Sequence, residues 1–184
     1  HRCRQFVRAR AIFEKALLAD LEMANYVWKN YIEFELSIGE FPNAWSLFRR
    51  CIDLEEHAFV WISFANCHFL ETDDHDPDTV FLAAEKARQI FIEANQSMRK
   101  MDDSQRQLLL NHWKKFEQDY GSKDNLELVL SKFPRKINDR RRVDNDDGTS
   151  SWQEVVVLVY PDDLQEKENQ SVVDEFMDFL NTEY

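Results

Sequence analysis

Apolar residues recur at helical spacing through most of the chain, and one aromatic pattern occurs more than once. The segment Trp28–Gly39 reads W-x-x-Y-x-x-F-E-x-x-x-G, and Leu110–Gly121 reads L-x-x-W-x-x-F-E-x-x-x-G. A third and degraded copy, W-x-x-F-x-x-C at Trp61–Cys67, lies between them. Apolar residues three and four positions apart share one face of a helix, so each copy predicts an amphipathic helix.

A second helical stretch follows each copy and carries its own apolar residue, namely Phe48, Phe91 and, more weakly, Val129. The repeating unit is therefore a pair of antiparallel helices. Such a unit cannot bury its apolar face alone, and its copies stack into a solenoid. We predict an all-α fold, an α-solenoid with a short helical C-terminal extension. Solenoids mostly serve as binding scaffolds, which favours binding over catalysis.

The aromatic side chains of these stripes are the predicted core of the repeats. They are Phe13, Trp28, Tyr31, Phe34, Phe48, Trp61, Phe64, Phe91, Trp113 and Phe116. The alternative is that the rings are exposed and stack on unpaired nucleic-acid bases. That arrangement needs interleaved Lys or Arg, and these residues are sparse along the stripes.

Turn signals separate the predicted helices. Gly39 follows the first copy and supplies the left-handed position at which helices commonly end. Asp76 and Pro77 read as an N-cap and a first helical residue. The chain begins inside a helical pattern, because Arg10–Leu17 reads as the second helix of a pair whose first helix is missing. This indicates a piece cut from the C-terminal side of a longer repeat array.

The last fifty residues differ from the repeats. We predict a solenoid over residues 1–134, a charged linker over 135–150 and an extension over 151–184 with one or two short helices. Ser151-x-x-Glu154 resembles a capping box that opens a helix over Trp152–Tyr160. The run Val155–Val159 has strand propensity, but no other segment offers it an obvious partner strand. A second box at Ser171 predicts a last amphipathic helix.

Composition narrows the function. With 3 Gly and 4 Pro in 184 residues, long helices are favoured over a turn-rich β fold. A net charge of −12 makes the chain as a whole a poor general binder of nucleic acid. Its 3 cysteines form no C-x-x-C pair, which is typical of buried thiols in a reducing compartment.

Neither metal chemistry nor a catalytic motif is predicted. Asn145, Asp147, Gly148 and Glu154 fall at positions of an EF-hand loop, but its first position is Val143, which cannot bind calcium. Cys67 and His68, with Cys51, His57 or His75, match no zinc-site spacing. The motifs of hydrolases, phosphate-binding loops and metalloproteases are missing as well. We therefore predict a protein that is not an enzyme and needs no cofactor.

A basic run is the strongest candidate for a functional patch. Its members are Arg135, Lys136, Arg140, Arg141 and Arg142, against one acid, Asp139. Three interpretations remain open for a contact role: RNA phosphates, an acidic protein partner, or part of a nuclear targeting signal. A solvated linker that neutralises neighbouring acids is an equally good interpretation.

These residues resemble a known family. The repeat with Trp, an aromatic three residues later, then Phe-Glu and Gly, is similar to the HAT (half-a-TPR) repeat. Ala87–Arg99 resembles a late repeat helix of the Crooked neck family of splicing factors. Arg140–Trp152, running on to Tyr160-Pro-Asp-Asp163, resembles the C-terminal segment of that family. The likeness covers most of Arg4–Asp163.

The resemblance implies a nuclear, non-enzymatic scaffold of the spliceosomal NineTeen Complex. Implied partners are a Myb-domain subunit, a second HAT-repeat subunit and nearby snRNA; a homodimer is possible but not required. Two alternatives stay open. One is a HAT scaffold of mRNA 3′-end or ribosomal RNA processing, and the other is an RNA-binding module that acts through residues 135–142.

Overall fold

The computed structural model describes residues 2–19, 24–54, 56–72, 76–144 and 150–164. These residues form α-helices followed by one β-hairpin. The helices are α1 Arg2–Ala19, α2 Ala24–Ser37, α3 Phe41–Leu54, α4 Ala58–Cys67, α5 Pro77–Ser97, α6 Asp103–Tyr120 and α7 Lys123–Ser131. The strands are β1 Arg135–Asp144 and β2 Ser150–Val159. Short 3-10 turns, His68–Glu71 and Met98–Lys100, follow α4 and α5.

The chain divides into two compact units, His1–Ala94 and Asn95–Tyr184, and the boundary falls inside α5. In the first unit α1 packs on α2, α2 on α3 and α3 on α4, so that consecutive helices are neighbours. In the second unit α6 packs on α7. Consecutive antiparallel helices joined by short loops are the arrangement expected of helical repeats. The predicted all-α repeat fold is confirmed for the helical part of the chain.

The helix ends follow the predicted turn chemistry. Gly39 has a φ of 77° and is the left-handed residue after α2. Asp76 accepts a hydrogen bond from the Asp78 amide at 3.1 Å, and α5 begins at Pro77. Gly121, at the corresponding place after α6, has a φ of −94° and is therefore not in the left-handed conformation. A Cβ there would collide with Glu117, so close approach rather than conformation requires glycine.

The aromatic stripes lie inside the units. Of the ten predicted core side chains, eight are buried, and their members are Trp28, Tyr31, Phe48, Trp61, Phe64, Phe91, Trp113 and Phe116. Phe13 and Phe34 are half-buried. Phe13 stacks on Tyr31 with 4.8 Å between ring centroids, which joins α1 to α2. Within the described residues, no helix is long and apolar enough to cross a membrane.

Residues 152–159 of the C-terminal extension form a strand where a helix is predicted. Ser150–Val159, which includes most of the predicted helix Trp152–Tyr160, is a strand that pairs antiparallel with Arg135–Asp144. The expected charged linker is thus the missing partner strand over its first ten residues. The register joins Arg135 to Val159 and Asp144 to Ser150. Four valines, which are β-branched, lie in the second half of β2, and their strand propensity prevails over the capping-box signal at Ser151. The predicted helix after Ser171 lies outside the described residues.

Candidate protein-interaction surfaces

A groove opens on the first unit where the leading helices of two successive repeats lie side by side. Its volume is about 630 Å³, and residues of α2, α3, α4 and the turn after α4 line it. Trp28, Ile32 and Leu36 contribute one wall, and they recur four residues apart because one face of α2 supplies them. Phe48 and Cys51 of α3 also line it. The repeat periodicity therefore builds a concave apolar surface as well as a core.

The rim of this groove carries apolar side chains that water reaches. Phe59 is 55% exposed and Leu70 is 61% exposed, and both line the groove. Lys29 and Glu33, which form an exposed pair at 3.8 Å, add one charge of each sign. Concave and mainly apolar sites with a few polar groups are typical binding sites, and apolar anchors dominate the energy of protein interfaces.

A buried carboxylate connects the first complete repeat to the helix before it. Glu35 is 1% exposed and accepts two hydrogen bonds from Arg10 of α1, at 2.7 and 2.8 Å. Asn43 of α3 donates a third at 3.3 Å. A bidentate guanidinium–carboxylate pair fixes both distance and orientation. The Glu of the F-E motif therefore holds α1, α2 and α3 in register.

The second repeat replaces this ionic pair by an aromatic one. Alignment of Trp61 with Trp28 places His68 at the position of Glu35, and alignment of Phe48 with Phe13 places Trp45 at the position of Arg10. His68 and Trp45 are in contact, with 4.9 Å between ring centroids. One buried helix-to-helix contact thus uses two chemistries in adjacent repeats.

His68 is held in its neutral form. Burial, with Lys86 and Arg49 nearby, lowers the pKa of His68 to about 4. Burial also raises the pKa of the adjacent Cys67 thiol to about 12, so the free thiol stays protonated at neutral pH and is a poor nucleophile. Among the described side chains, no three His, Cys, Asp or Glu residues are placed to hold a metal ion. Of the calcium-loop residues, Asn145, Asp147 and Gly148 lie outside the described part of the chain.

The predicted basic run lies on β1. Arg135 and Lys136 are exposed, and Arg140 is 75% exposed while it donates to Glu154 of β2 at 3.2 Å. Arg141 and Arg142 take part in the strand by register, opposite Gln153 and Trp152, and their side chains are not described. Because side chains alternate across a strand, Arg135 lies on one face of the hairpin, and Lys136 and Arg140 lie on the other.

The residues after β2 join the hairpin to the last repeat. Arg106 of α6 is 4% exposed and donates to both oxygens of Asp163, at 2.7 and 3.1 Å. Its guanidinium carbon lies 3.6 Å from the ring centroid of Tyr160, which is buried. Asp162 accepts from Asn95 at 3.0 Å and from Lys132 at 3.1 Å. The segment Tyr160–Asp163, which we call the clamp, therefore holds the hairpin against α6 and against Lys132, the residue after α7.

Tyr160 adds a further contact to the clamp. Burial raises the pKa of its hydroxyl to about 12, and that hydroxyl donates to the Asp103 carbonyl at 3.4 Å. Charge-assisted bidentate bonds contribute more than neutral ones, and a guanidinium over an aromatic face adds a cation–π contribution. Removal of one partner leaves a buried charge without its counterion, which is costly.

Known proteins resemble the chain over most of its length. Crooked neck-like protein 1 of Homo sapiens is 34% identical over 165 residues, which cover 88% of this chain. The pre-mRNA-splicing factor clf-1 of Neurospora crassa is 34% identical over 177 residues and 89% of the chain. The pre-mRNA-splicing factor cwf4 of Schizosaccharomyces pombe is 35% identical over 163 residues and 84% of the chain. The chain belongs to the Crooked neck family.

The Crooked neck relatives are much longer than this chain, which spans 19% of the human protein, 25% of the Neurospora protein and 24% of the fission-yeast protein. No family model matches the chain.

Two stretches of unusual composition, Val155–Val159 and Thr72–Asp78, have the following places in the structure. The five aliphatic residues after Glu154 form the second half of β2. Of the acidic stretch Thr72–Asp78, Pro77 and Asp78 open α5, and residues 73–75 lie outside the described ones.

Sequence reasoning did not identify Arg106, Lys132 or the Trp45–His68 pair. Alignment of the repeats with one another could have found the Trp45–His68 pair, because His68 stands where the first copy has Glu35. No pattern in the sequence alone connects Arg106 with Asp163, 57 residues later.

Proposed function

We propose that this chain acts in pre-mRNA splicing as a non-enzymatic scaffold that holds other spliceosomal proteins. The observation that carries the proposal is the groove between α2 and α4, built by the repeat pattern itself and lined by Trp28, Ile32 and Leu36. The names of the relatives, which are pre-mRNA-splicing factors, support the process. A nuclear location follows from that process.

The groove is suited to a protein partner. Exposed Phe59 and Leu70 provide apolar contact, and the single Lys29–Glu33 pair gives its rim little net charge. An amphipathic helix docks into such a groove by burying apolar side chains along one face. Nucleic acid instead requires a basic surface. The resemblance to the Crooked neck family supplies the proposed partners, which are a Myb-domain subunit and a second HAT-repeat subunit, with snRNA as a further contact.

The relatives also bear on the alternative assignments. A scaffold of mRNA 3′-end or ribosomal RNA processing remains a member of the same structural class. The relatives are named pre-mRNA-splicing factors, which favours splicing over those processes. The RNA-binding alternative depends on the basic residues of β1, of which the neighbours Arg135 and Lys136 belong to opposite faces of the hairpin.

Charge placed on the groove rim tests the proposal. The double variant Phe59→Glu with Leu70→Glu should lose its spliceosomal protein partners in affinity purification, because a carboxylate would be desolvated at each apolar anchor. Both side chains are more than half exposed, so the fold should be retained.

The matched control is Phe81→Glu with Leu82→Glu on α5, where the two side chains are 67% and 56% exposed and do not line the groove. The control should keep the partners. Equal recovery of partners with both variants would contradict the proposed role of the groove.

A further inference from the structure

The hairpin of β1 and β2 is an unusual element to find on a helical repeat. Its strands have ten residues each and pair over their whole length. Within the described residues each strand has one partner only, so each has an edge of unpaired main-chain groups. A two-stranded ribbon is marginally stable in water, and an open edge is a template for another strand. The clamp at Tyr160–Asp163 secures one end of the ribbon and leaves these edges open.

Apolar side chains are exposed on both faces of the hairpin. On one face Trp152 is 71% and Val156 is 60% exposed. On the other face Ile137 is 48% and Val155 is 36% exposed. Residues opposite each other in an antiparallel pair share a face, and neighbours along a strand alternate. A surface that docks flat against one face would leave the other face wet, whereas an added strand extends both faces at once.

The charges of the two strands indicate which edge of the hairpin a further strand would join and what charge that strand would carry. β1 carries five cations and only Asp139 and Asp144 as acids, in a chain whose net charge is −12. β2 carries a single charged residue, Glu154. The contact between Arg140 and Glu154 at 3.2 Å shows that a carboxylate on a neighbouring strand meets the β1 cations directly. Carboxylates on a strand paired with the free edge of β1 would meet the same β1 cations.

We infer that β1 is the docking edge for an extended acidic segment of a partner protein, added to the hairpin as a third strand. Main-chain hydrogen bonds along the edge supply affinity, and the cations of β1 select acidic sequences. RNA is the weaker match, because Trp152 is the one aromatic residue of β1 and β2, whereas binding of single-stranded nucleic acid uses several rings on which successive bases stack. This inference involves no residue of the groove, so either can fail without the other.

The experiment uses the full chain and a fluorescein-labelled peptide of ten residues that alternates glutamate and threonine. Fluorescence anisotropy should show binding at least tenfold tighter than that of the lysine–threonine peptide or of a ten-nucleotide oligouridine. Lys136→Glu with Arg140→Glu should weaken the acidic peptide at least tenfold. The matched control, Lys115→Glu with Lys123→Glu on α6 and α7, should change binding less than twofold. Preference for oligouridine, or equal losses in both variants, would overturn the inference.

Peptides with a methylated main chain distinguish strand addition from binding by charge attraction alone. A strand donates to one neighbour from alternate residues, so methylation of the odd or of the even peptide nitrogens should abolish binding in one peptide and spare the other. Unchanged binding by both methylated peptides would show attraction without pairing and overturn the inference. Dimerisation of the chain that the Lys136→Glu, Arg140→Glu variant abolishes would assign the edge to a second copy, with the same consequence.

Discussion

Acid should weaken this protein through one buried side chain, His68. The pKa of His68 is about 4 in the folded chain and about 6.5 when unfolded. The unfolded chain therefore binds the proton more readily below pH 6.5, and the free energy of unfolding falls as the pH falls toward 4. The contribution of His68 to the free energy of unfolding is fully present above pH 6.5. The full difference corresponds to about 3 kcal/mol, of which about 2 kcal/mol is lost by pH 5.

The assay is urea unfolding followed by tryptophan fluorescence at pH 7.5 and pH 5. The control is His68→Phe, which keeps a ring against Trp45 and Phe64 and has no group to titrate. Other titrating groups contribute equally to both proteins and cancel. The natural chain should therefore lose about 2 kcal/mol more than His68→Phe between the two pH values. An identical pH dependence in both proteins would refute the claim that His68 is buried and neutral.

Three further predictions concern the core, the repeat contacts and the clamp. Trp28→Ala, Trp61→Ala and Trp113→Ala should each lower the free energy of unfolding by about 3–5 kcal/mol, whereas the exposed Trp152→Ala should change it by less than about 0.5 kcal/mol in the same urea titration. Glu35→Ala should cost about 3 kcal/mol because it leaves Arg10 without its partner, and Glu14→Ala, which breaks the exposed pair with Arg50, should cost less than about 1 kcal/mol. Asp163→Ala should speed amide hydrogen exchange in β1 and β2 at least tenfold and leave exchange in α2 and α3 unchanged, because Arg106 would no longer hold the end of the hairpin. Exchange in β1 and β2 that is no faster than in the natural chain would contradict the clamp.

Local periodicity made the helices predictable. Each aromatic stripe repeats at three and four residues, and this spacing both forms a helix and buries one face of it. Gly39 and Asp76 were recognisable because one conformation or one hydrogen bond explains each of them. The identity of the buried stripe required no three-dimensional information.

The hairpin was not predictable by the same reasoning, because a strand exposed on both faces does not need alternating apolar residues. β1 has only Ile137 and Val143 as apolar residues, so its pattern resembles a charged linker. Val155–Val159 does read as a strand, but only the fold brings β1 beside it. Likewise, the clamp depends on Arg106 and Asp163, which are far apart in sequence and reveal nothing until α6 and the segment after β2 are adjacent.

The central claim is that this chain holds splicing proteins together through its repeat surfaces. The most direct measurement is affinity purification of the tagged protein from its own cells, with and without nuclease, followed by mass spectrometry. We expect spliceosomal proteins to remain bound after nuclease treatment and to be lost in the Phe59→Glu, Leu70→Glu variant. Loss of every partner on nuclease treatment would contradict the account and make RNA the primary ligand.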